Sequence, residues 1–552
     1  MASFWQKQPE TTGHSNQKNV PSNVIARRNS HAYTNTKIEQ ADALNSQNEL
    51  EKAYEIYKDI IGKNTGHADA LFGIGIILGK QQKFDLAIQF LSKAIKSNPG
   101  KIQALLARGR ILRLQGMSAN AVSDFTEVIA KHPENFEAFI ARGIAFGQTS
   151  KFDKAIDDFS SAIRINSNRA EAFYNRGVVY EKLYKFDAAI EDYSIAIKLN
   201  PHDYKAYNNR GVAWRETKCF DAAIQDFDKS VEINPDFAEG FYNKSLALLS
   251  VGAINEGFKL YEHRWKTEHF QSRIRNFSQP LWLGNEDLKG KTILLHSEQG
   301  LGDSIQYCRY LSFFNKLGCK VLLEIEASLH SLMHNFLPKN QIYSKGAQLD
   351  EFDYHCPLMS LPLALNKVVP FIPSRTPYIK ISEEIELAWL KKLGKKTKPR
   401  VGICWQGNRS HHRDSLRSVP LDILSPHLHD RVQWVSLQQN LSNRENSIIL
   451  SLPNGYDYSS ELDDFHKTGG LIKCLDAVIS VDTSIAHLAG ALAIPLQLLL
   501  CYVPDARWQL ATKDCEWYPS ATLHRQEMQG CWQPVVESAI REINEKIFQQ
   551  SQ

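Results

Sequence analysis

Three stretches of this 552-residue chain combine residue types that could do chemistry. The first is Asp482-Thr483-Ser484-Ile-Ala-His487, directly after the β-branched run at 478–481. Asp, Thr and Ser cap helices well. A helix beginning there would turn its free N–H groups and the positive end of its dipole toward whatever lies beyond the strand, which suits a phosphate. His487 follows Thr483 by one helical turn, so both point the same way. The plainer alternative is a helix cap without a ligand. The second stretch is Gln299-Gly300-Leu-Gly302-Asp303. Two glycines allow close approach to the backbone, but the third glycine of the dinucleotide fingerprint is missing, and an acid at the turn repels phosphate. Asp303 suits a general base that takes a proton from a hydroxyl, or else a helix N-cap. The third is the loop at 409–417, with Arg409, His411, His412, Arg413 and Arg417. Either it meets an anion or its charges are simply solvated.

All three stretches need strands behind them. The runs at 292–296, 321–325, 401–404, 433–438, 475–481 and 496–500 read as buried strands, and apolar helical patterns separate several of them. Strand–helix–strand units build open α/β sheets, whose ligands sit beyond the carboxyl ends of the strands. From 290 the chain therefore reads as α/β in two halves, 290–395 and 396–545, with a polar hinge at Lys396-Lys-Thr-Lys-Pro399.

The preceding half is periodic. Gly75, Gly109, Gly143, Gly177 and Gly211 are 34 apart, as are Ala53, Ala87, Ala121, Ala155, Ala189 and Ala223. Period and residue types resemble the tetratricopeptide repeat, a helix pair whose stacked copies form a superhelix. About seven units are expected over 34–270, followed by a connector at 271–289; residues 1–33, rich in Asn, Gln, Ser and Thr, are expected to be disordered. Arg108, Arg142, Arg176 and Arg210 recur with Asp124, Asp158, Asp192 and Asp226 as expected ion pairs within the repeats. Asn175, Asn209 and Asn243 share one repeat position. In the repeat domain of protein O-linked N-acetylglucosamine transferases, which this array resembles, such a ladder holds extended peptide; otherwise Asn is an ordinary consensus choice there.

Composition excludes some classes. Hydrophobic content of 43% and charged content of 23% are ordinary for a soluble globular protein, and a net charge of +4 gives no argument for nucleic acid. The nine cysteines form no Cys-x-x-Cys pair, as expected of a reduced, cytoplasmic chain. No run approaches the roughly 20 apolar residues of a transmembrane helix, and the N-terminus lacks a signal-peptide stretch. Oligomeric state is left open.

Residues 260–545 resemble the bacterial glycosyltransferase-like domains found behind tetratricopeptide arrays, related to the heptosyltransferase group (glycosyltransferase family nine). The resemblance rests on Gln299-Gly-Leu-Gly-Asp303, Phe352-Asp-Tyr-His-Cys-Pro357, Trp405-x-Gly-Asn408, Arg417-Ser-x-Pro420, Ser436-Leu-Gln438, Asp482-Thr-Ser-x-x-His487-Leu-Ala-Gly490 and Trp517-Tyr-Pro519. It implies a GT-B fold, two Rossmann-like halves with the acceptor mainly on the first and the nucleotide sugar on the second. Asp303 matches the family's general base, beside the acceptor-side loop Gln299, Gly300 and Gly302. The implied donor residues are Arg413, Arg417, Ser436, Gln438, Asp482, Thr483, Ser484 and His487. The family's Asp-Thr-Gly is Asp-Thr-Ser here, and Arg413 or Arg417 stands in for its lysine. With no Asp-x-Asp pair placed to hold a metal, no metal or cofactor is expected, the nucleotide sugar being a co-substrate. The expected activity is inverting, metal-independent transfer to a protein or glycan acceptor recruited by the repeats. The alternative is a peptide-binding scaffold with an inactive transferase-like domain.

Overall fold

The computed structural model describes residues 22–373, 375–410, 413–510 and 512–549. They divide into two compact units, up to Ala213 and from Trp214. Among the described residues no helix is long and apolar enough to cross a membrane, and all nine cysteines are free.

Among its described residues the first unit holds five helix pairs, from Ser22–Ser46 with Leu50–Lys63 to Ala170–Lys182 with Phe186–Leu199, and then most of Tyr204–Glu216. The recurrent glycines have a direct steric cause. A methyl group on Gly75, Gly109, Gly143 or Gly177 would lie 2.7, 2.6, 2.7 or 2.8 Å from Leu91, Phe125, Phe159 or Tyr193. Each of those side chains is almost wholly buried, so the glycine of one helix makes room for the large residue of its mate. Charge follows the same step: Arg108, Arg142 and Arg176 reach Asp124, Asp158 and Asp192 at 2.7, 2.8 and 2.8 Å. The turn inside each pair passes through a left-handed residue at Asn48, Gln82, Gly116, Ser150 and Tyr184, again 34 apart. Only one of these is glycine, so this period leaves almost no mark in residue type.

One expectation fails at the start. Residues 1–21 lie outside the described residues, but Ser22–Ser46 is a helix where a disordered tail was expected as far as residue 33. No proline or glycine interrupts that segment, so nothing local stops the helix short of it.

The second unit begins at the end of Tyr204–Glu216 and continues through Phe220–Ile233, Ala238–Ser250 and Ile254–Tyr261. The connector is pinned rather than loose: Trp282 N–H donates to His355 O at 2.8 Å, and His355 N–H donates to Pro280 O at 3.1 Å. Among the described residues ten strands follow: β1 (Thr292–His296), β2 (Lys320–Ile325), β3 (Ile342–Ser344), β4 (Tyr354–Pro357), β5 (Arg400–Cys404), β6 (Gln433–Ser436), β7 (Gly455–Asp457), β8 (Ala477–Val481), β9 (Leu496–Leu500) and β10 (Ala521–Arg525). They form two wholly parallel sheets, ordered β3-β2-β1-β4 and β10-β9-β8-β5-β6-β7. Their near-continuous apolar runs are those of strands covered on both faces. Strand order reverses beside β1 in the first sheet and between β5 and β8 in the second, the points where parallel sheets open a crevice. Helix Glu383–Leu393, which the sequence puts in the first half, packs on the second: Trp389 Nε1 donates to Lys467 O at 2.8 Å, and Gly470 leaves room for Ile385.

Candidate functional site

Beyond β1 the chain turns at Gly300 into helix Leu301–Tyr307, which starts earlier than the apolar run beginning at Ile305 suggests. Asp303 sits in its first turn, and Oδ2 accepts the Gly300 N–H at 2.9 Å. Gly300, not Asp303, is thus the N-cap, and Asp303 reaches back to it with one oxygen from the third helical position. The other, Oδ1, lies 2.6 Å from Arg507 Nη2.

Beyond β8, Thr483 takes the N-cap position of helix Ser484–Ala491, but its side chain caps nothing. Its hydroxyl pairs instead with Ser480 Oγ at 3.0 Å and lies 3.6 Å from Cys404 Sγ. The helix start therefore keeps N–H groups that no side chain caps. His487, one turn on, is buried, with Nδ1 2.8 Å from the Tyr518 hydroxyl and its ring stacked on Trp508. Nε2 lies 3.7 Å from Asp482 and 3.4 Å from Arg507. Burial and the Arg507 charge push the His487 pKa down against Asp482 and Asp303, which favours a neutral ring. Burial acts to raise the Asp482 carboxyl, but His487 and Arg507 outweigh it and hold it well below the usual carboxylate range.

The two turns meet. A methyl group on Gly302 would lie 2.6 Å from His487 Cδ2, so this glycine lets the Asp303 helix rest on the His487 ring. They share one cleft of about 1860 Å³, larger than the ~300–1,000 Å³ of ordinary ligand pockets. Gln299, Gly300, Gly302, Asp303, Gln438, Asp482, Thr483, Ser484, His487, Arg413 and Arg417 all line it, as does Asn243 from the last repeat helices.

Several assignments change. Ser436 is fully buried in β6, where its hydroxyl accepts the Gln438 N–H at 3.4 Å, and it does not line the cleft. A strand-end serine pointing into the sheet core cannot reach a ligand. Gln438 positions its neighbours: Oε1 accepts the Gln406 N–H at 3.0 Å. Arg413 forks onto Glu216 at 2.9 and 3.0 Å and donates to Val503 O at 3.2 Å, so it is already engaged. Burial acts to raise the Glu216 carboxyl, but Arg413 and Arg215 hold it below its ordinary value. Arg417 lies over Gly407, where a methyl group would meet its guanidinium at 2.4 Å, and bonds Asp414 at 3.3 Å. His411 and His412 lie outside the described residues. Asn175 and Asn209, in the first unit, are half-buried; their amides donate to Glu171 O at 2.7 Å and to the Tyr174 hydroxyl at 3.2 Å. Gln299 donates to the Tyr261 hydroxyl at 2.7 Å.

Two groups escaped sequence reasoning. Arg507 sits after β9, in Pro504-Asp-Ala-Arg507, and a polar loop following a buried strand was the available signal. Glu298 is the residue before Gln299. Burial, against the Arg264 charge 2.8 Å away, pushes its carboxyl up to about 7, and Oε2 has no partner. Among the described residues, no group of three or more His, Cys, Asp or Glu side chains could hold a metal ion.

Comparison with known proteins places the repeats. Family models of the tetratricopeptide repeat match residues 38–102, 103–135, 148–183, 170–203 and 204–237. Repeats of this kind imply binding of protein partners. Protein FlbA of Caulobacter vibrioides is 26% identical over 329 residues, 54% of each chain, so the chain spans about half the length of this relative. Among solved structures, the MamA protein is 27% identical, covering 31% of this chain and 94% of its own with a TM-score of 0.29. YrrB, described as a TPR protein with an unusual peptide-binding site, is 20% identical, covering 34% and 98% with a TM-score of 0.30.

Proposed function

We propose that the chain is an inverting, metal-independent glycosyltransferase of GT-B type, with two Rossmann-like halves. It transfers sugar from a nucleotide-sugar donor to a protein or glycan acceptor recruited by the repeats. The observation that carries this reading is the meeting of Asp303 with the start of helix Ser484–Ala491 in one cleft, at the carboxyl ends of two parallel sheets. In the reaction Asp303 takes the proton of an acceptor hydroxyl as its oxygen bonds the anomeric carbon. The bond from that carbon to the phosphate oxygen breaks, and its electron pair leaves on the nucleoside diphosphate. The N–H groups at the helix start and the Arg417 guanidinium meet the departing charge.

The test incubates the whole protein with a panel of nucleotide sugars, with and without a chelator, and follows nucleoside diphosphate release. Release that persists in chelator and falls by roughly 10²–10⁴ in Asp303→Asn supports the reading. No release with any donor, or release that needs a divalent ion, counts against it. One observation favours a second reading, the non-catalytic peptide-binding scaffold: Asp303 is already ion-paired to Arg507. Partner capture with no nucleotide binding would select that one.

A further inference from the structure

A carboxylate that is ion-paired on one oxygen and hydrogen-bonded on the other offers no open oxygen to an acceptor hydroxyl. Asp303 is in that state, with Gly300 N–H on Oδ2 at 2.9 Å and Arg507 on Oδ1 at 2.6 Å. Both oxygens are thus engaged, and an acceptor hydroxyl must displace one of these contacts to reach the carboxylate. Of the two, the backbone contact is fixed by the helix, whereas the contact with Arg507 depends on a side chain that has other partners.

Arg507 is well supplied with them. Nε donates to Asp505 at 2.8 Å and Nη2 to the same carboxylate at 3.4 Å; Nη1 donates to Gln306 at 2.8 Å and lies 3.4 Å from His487 Nε2. Asp505 is on the same loop, so the guanidinium can stay anchored through Nε when Nη2 leaves Asp303. The loop lines the cleft together with Ser484 and Asp482. A guanidinium fork fits phosphate oxygens as well as it fits a carboxylate, and a diphosphate offers more charge than one aspartate.

We propose that Arg507 is a positioning residue that exchanges partners. With the donor absent, it holds Asp303. When the diphosphate of the donor enters, Nη2 turns to the phosphate oxygens while Nε remains on Asp505, and Asp303 Oδ1 is released to take the acceptor's proton. This rests on the transferase reading above and adds an order to it: the base becomes competent only after the anion has bound.

The experiment is calorimetric titration of the whole protein with inorganic pyrophosphate, in chelator, using the wild type, Asp303→Asn, Arg507→Gln, Arg507→Lys and the double variant Asp303→Asn with Arg507→Gln. Removing the competing carboxylate should tighten pyrophosphate binding about tenfold or more, the scale of one charged hydrogen bond. Arg507→Gln should weaken it by a similar factor, and Arg507→Lys should recover part of the loss. The gain from Asp303→Asn should vanish in the Arg507→Gln background, because it acts through the released guanidinium. A structural role for Arg507 would not produce that dependence. Pyrophosphate binding to the wild type with no gain in Asp303→Asn, or a gain that persists without Arg507, overturns the exchange and leaves the transferase reading standing. Absence of binding of either pyrophosphate or a nucleoside diphosphate to both the wild type and Asp303→Asn overturns both. Melting curves identify any unfolded Arg507 variant; if Arg507→Gln does not fold, Arg507→Lys supplies the background, and no gain in Asp303→Asn overturns the exchange on its own.

Discussion

Gly302→Ala tests whether the two halves of the site are held by direct packing. The added methyl carbon would lie 2.6 Å from His487 Cδ2 and 3.2 Å from Nε2, against the ~3.5–4.0 Å of an unstrained carbon contact. The shortfall of about 1 Å must be taken up by the ring or by the helix. The ring resists, because Nδ1 is 2.8 Å from the Tyr518 hydroxyl and one face lies on Trp508. Overpacking of this kind costs about 1–3 kcal/mol, offset by about 0.5–1 kcal/mol that alanine gains over glycine in a helix. The net loss is about 0.5–2 kcal/mol, or roughly 2- to 30-fold faster amide exchange in the segments that open together. Hydrogen exchange over Leu301–Tyr307 and Ser484–Ala491 measures it. Gly62→Ala, with nothing within 4 Å of the new methyl, is the control and should slow exchange in its own helix. Once a turnover assay exists, the displaced Asp303 should lower the rate by about 10²-fold. Unchanged or slower exchange in both site helices of Gly302→Ala would refute the packing argument.

Three further outcomes follow from the geometry. Glu216→Gln removes the charged fork on Arg413 and should cost about 1–3 kcal/mol, with faster exchange confined to Arg413 and the helical turn Asp414–Arg417 that follows it; protection unchanged in that turn would mean Glu216 does not hold it. Glu298 has its folded pKa raised to about 7 from 4.5, so the native state holds a proton that the unfolded chain releases, and this contribution to stability declines as pH rises through that window. Glu298→Gln should flatten the fall of melting temperature between pH 4.5 and 8, and a slope identical to wild type would remove Glu298 as its source. Ser150→Gly relieves an exposed left-handed residue with φ of 57° and should stabilise its helix pair by up to about 1 kcal/mol in urea titration, whereas destabilisation would show that the turn carries no strain.

Sequence alone determined the parts of this protein whose physics is local. A 34-residue step of glycine, alanine and aromatic residues specifies helix pairs, because each glycine lies against the residue sixteen places on, within one hairpin. The strand–turn–helix units around Asp303 and Asp482 were legible for the same reason: an apolar run, a turn and a capping residue are neighbours in the chain. Tertiary structure decided how those units are used. Arg507 meets Asp303, and Glu216 meets Arg413 at a separation of 197 residues, through a sheet order that brings distant loops to one cleft. Ser436 and Gln438 are two residues apart in the sequence, yet only Gln438 lines the cleft, because Ser436 is still inside β6 and fully buried whereas Gln438 lies beyond the end of the strand. Hydrophobic period and turn chemistry act over a few residues, whereas the pairing of charges depends on where the packed sheets carry their loop ends, which no local pattern encodes.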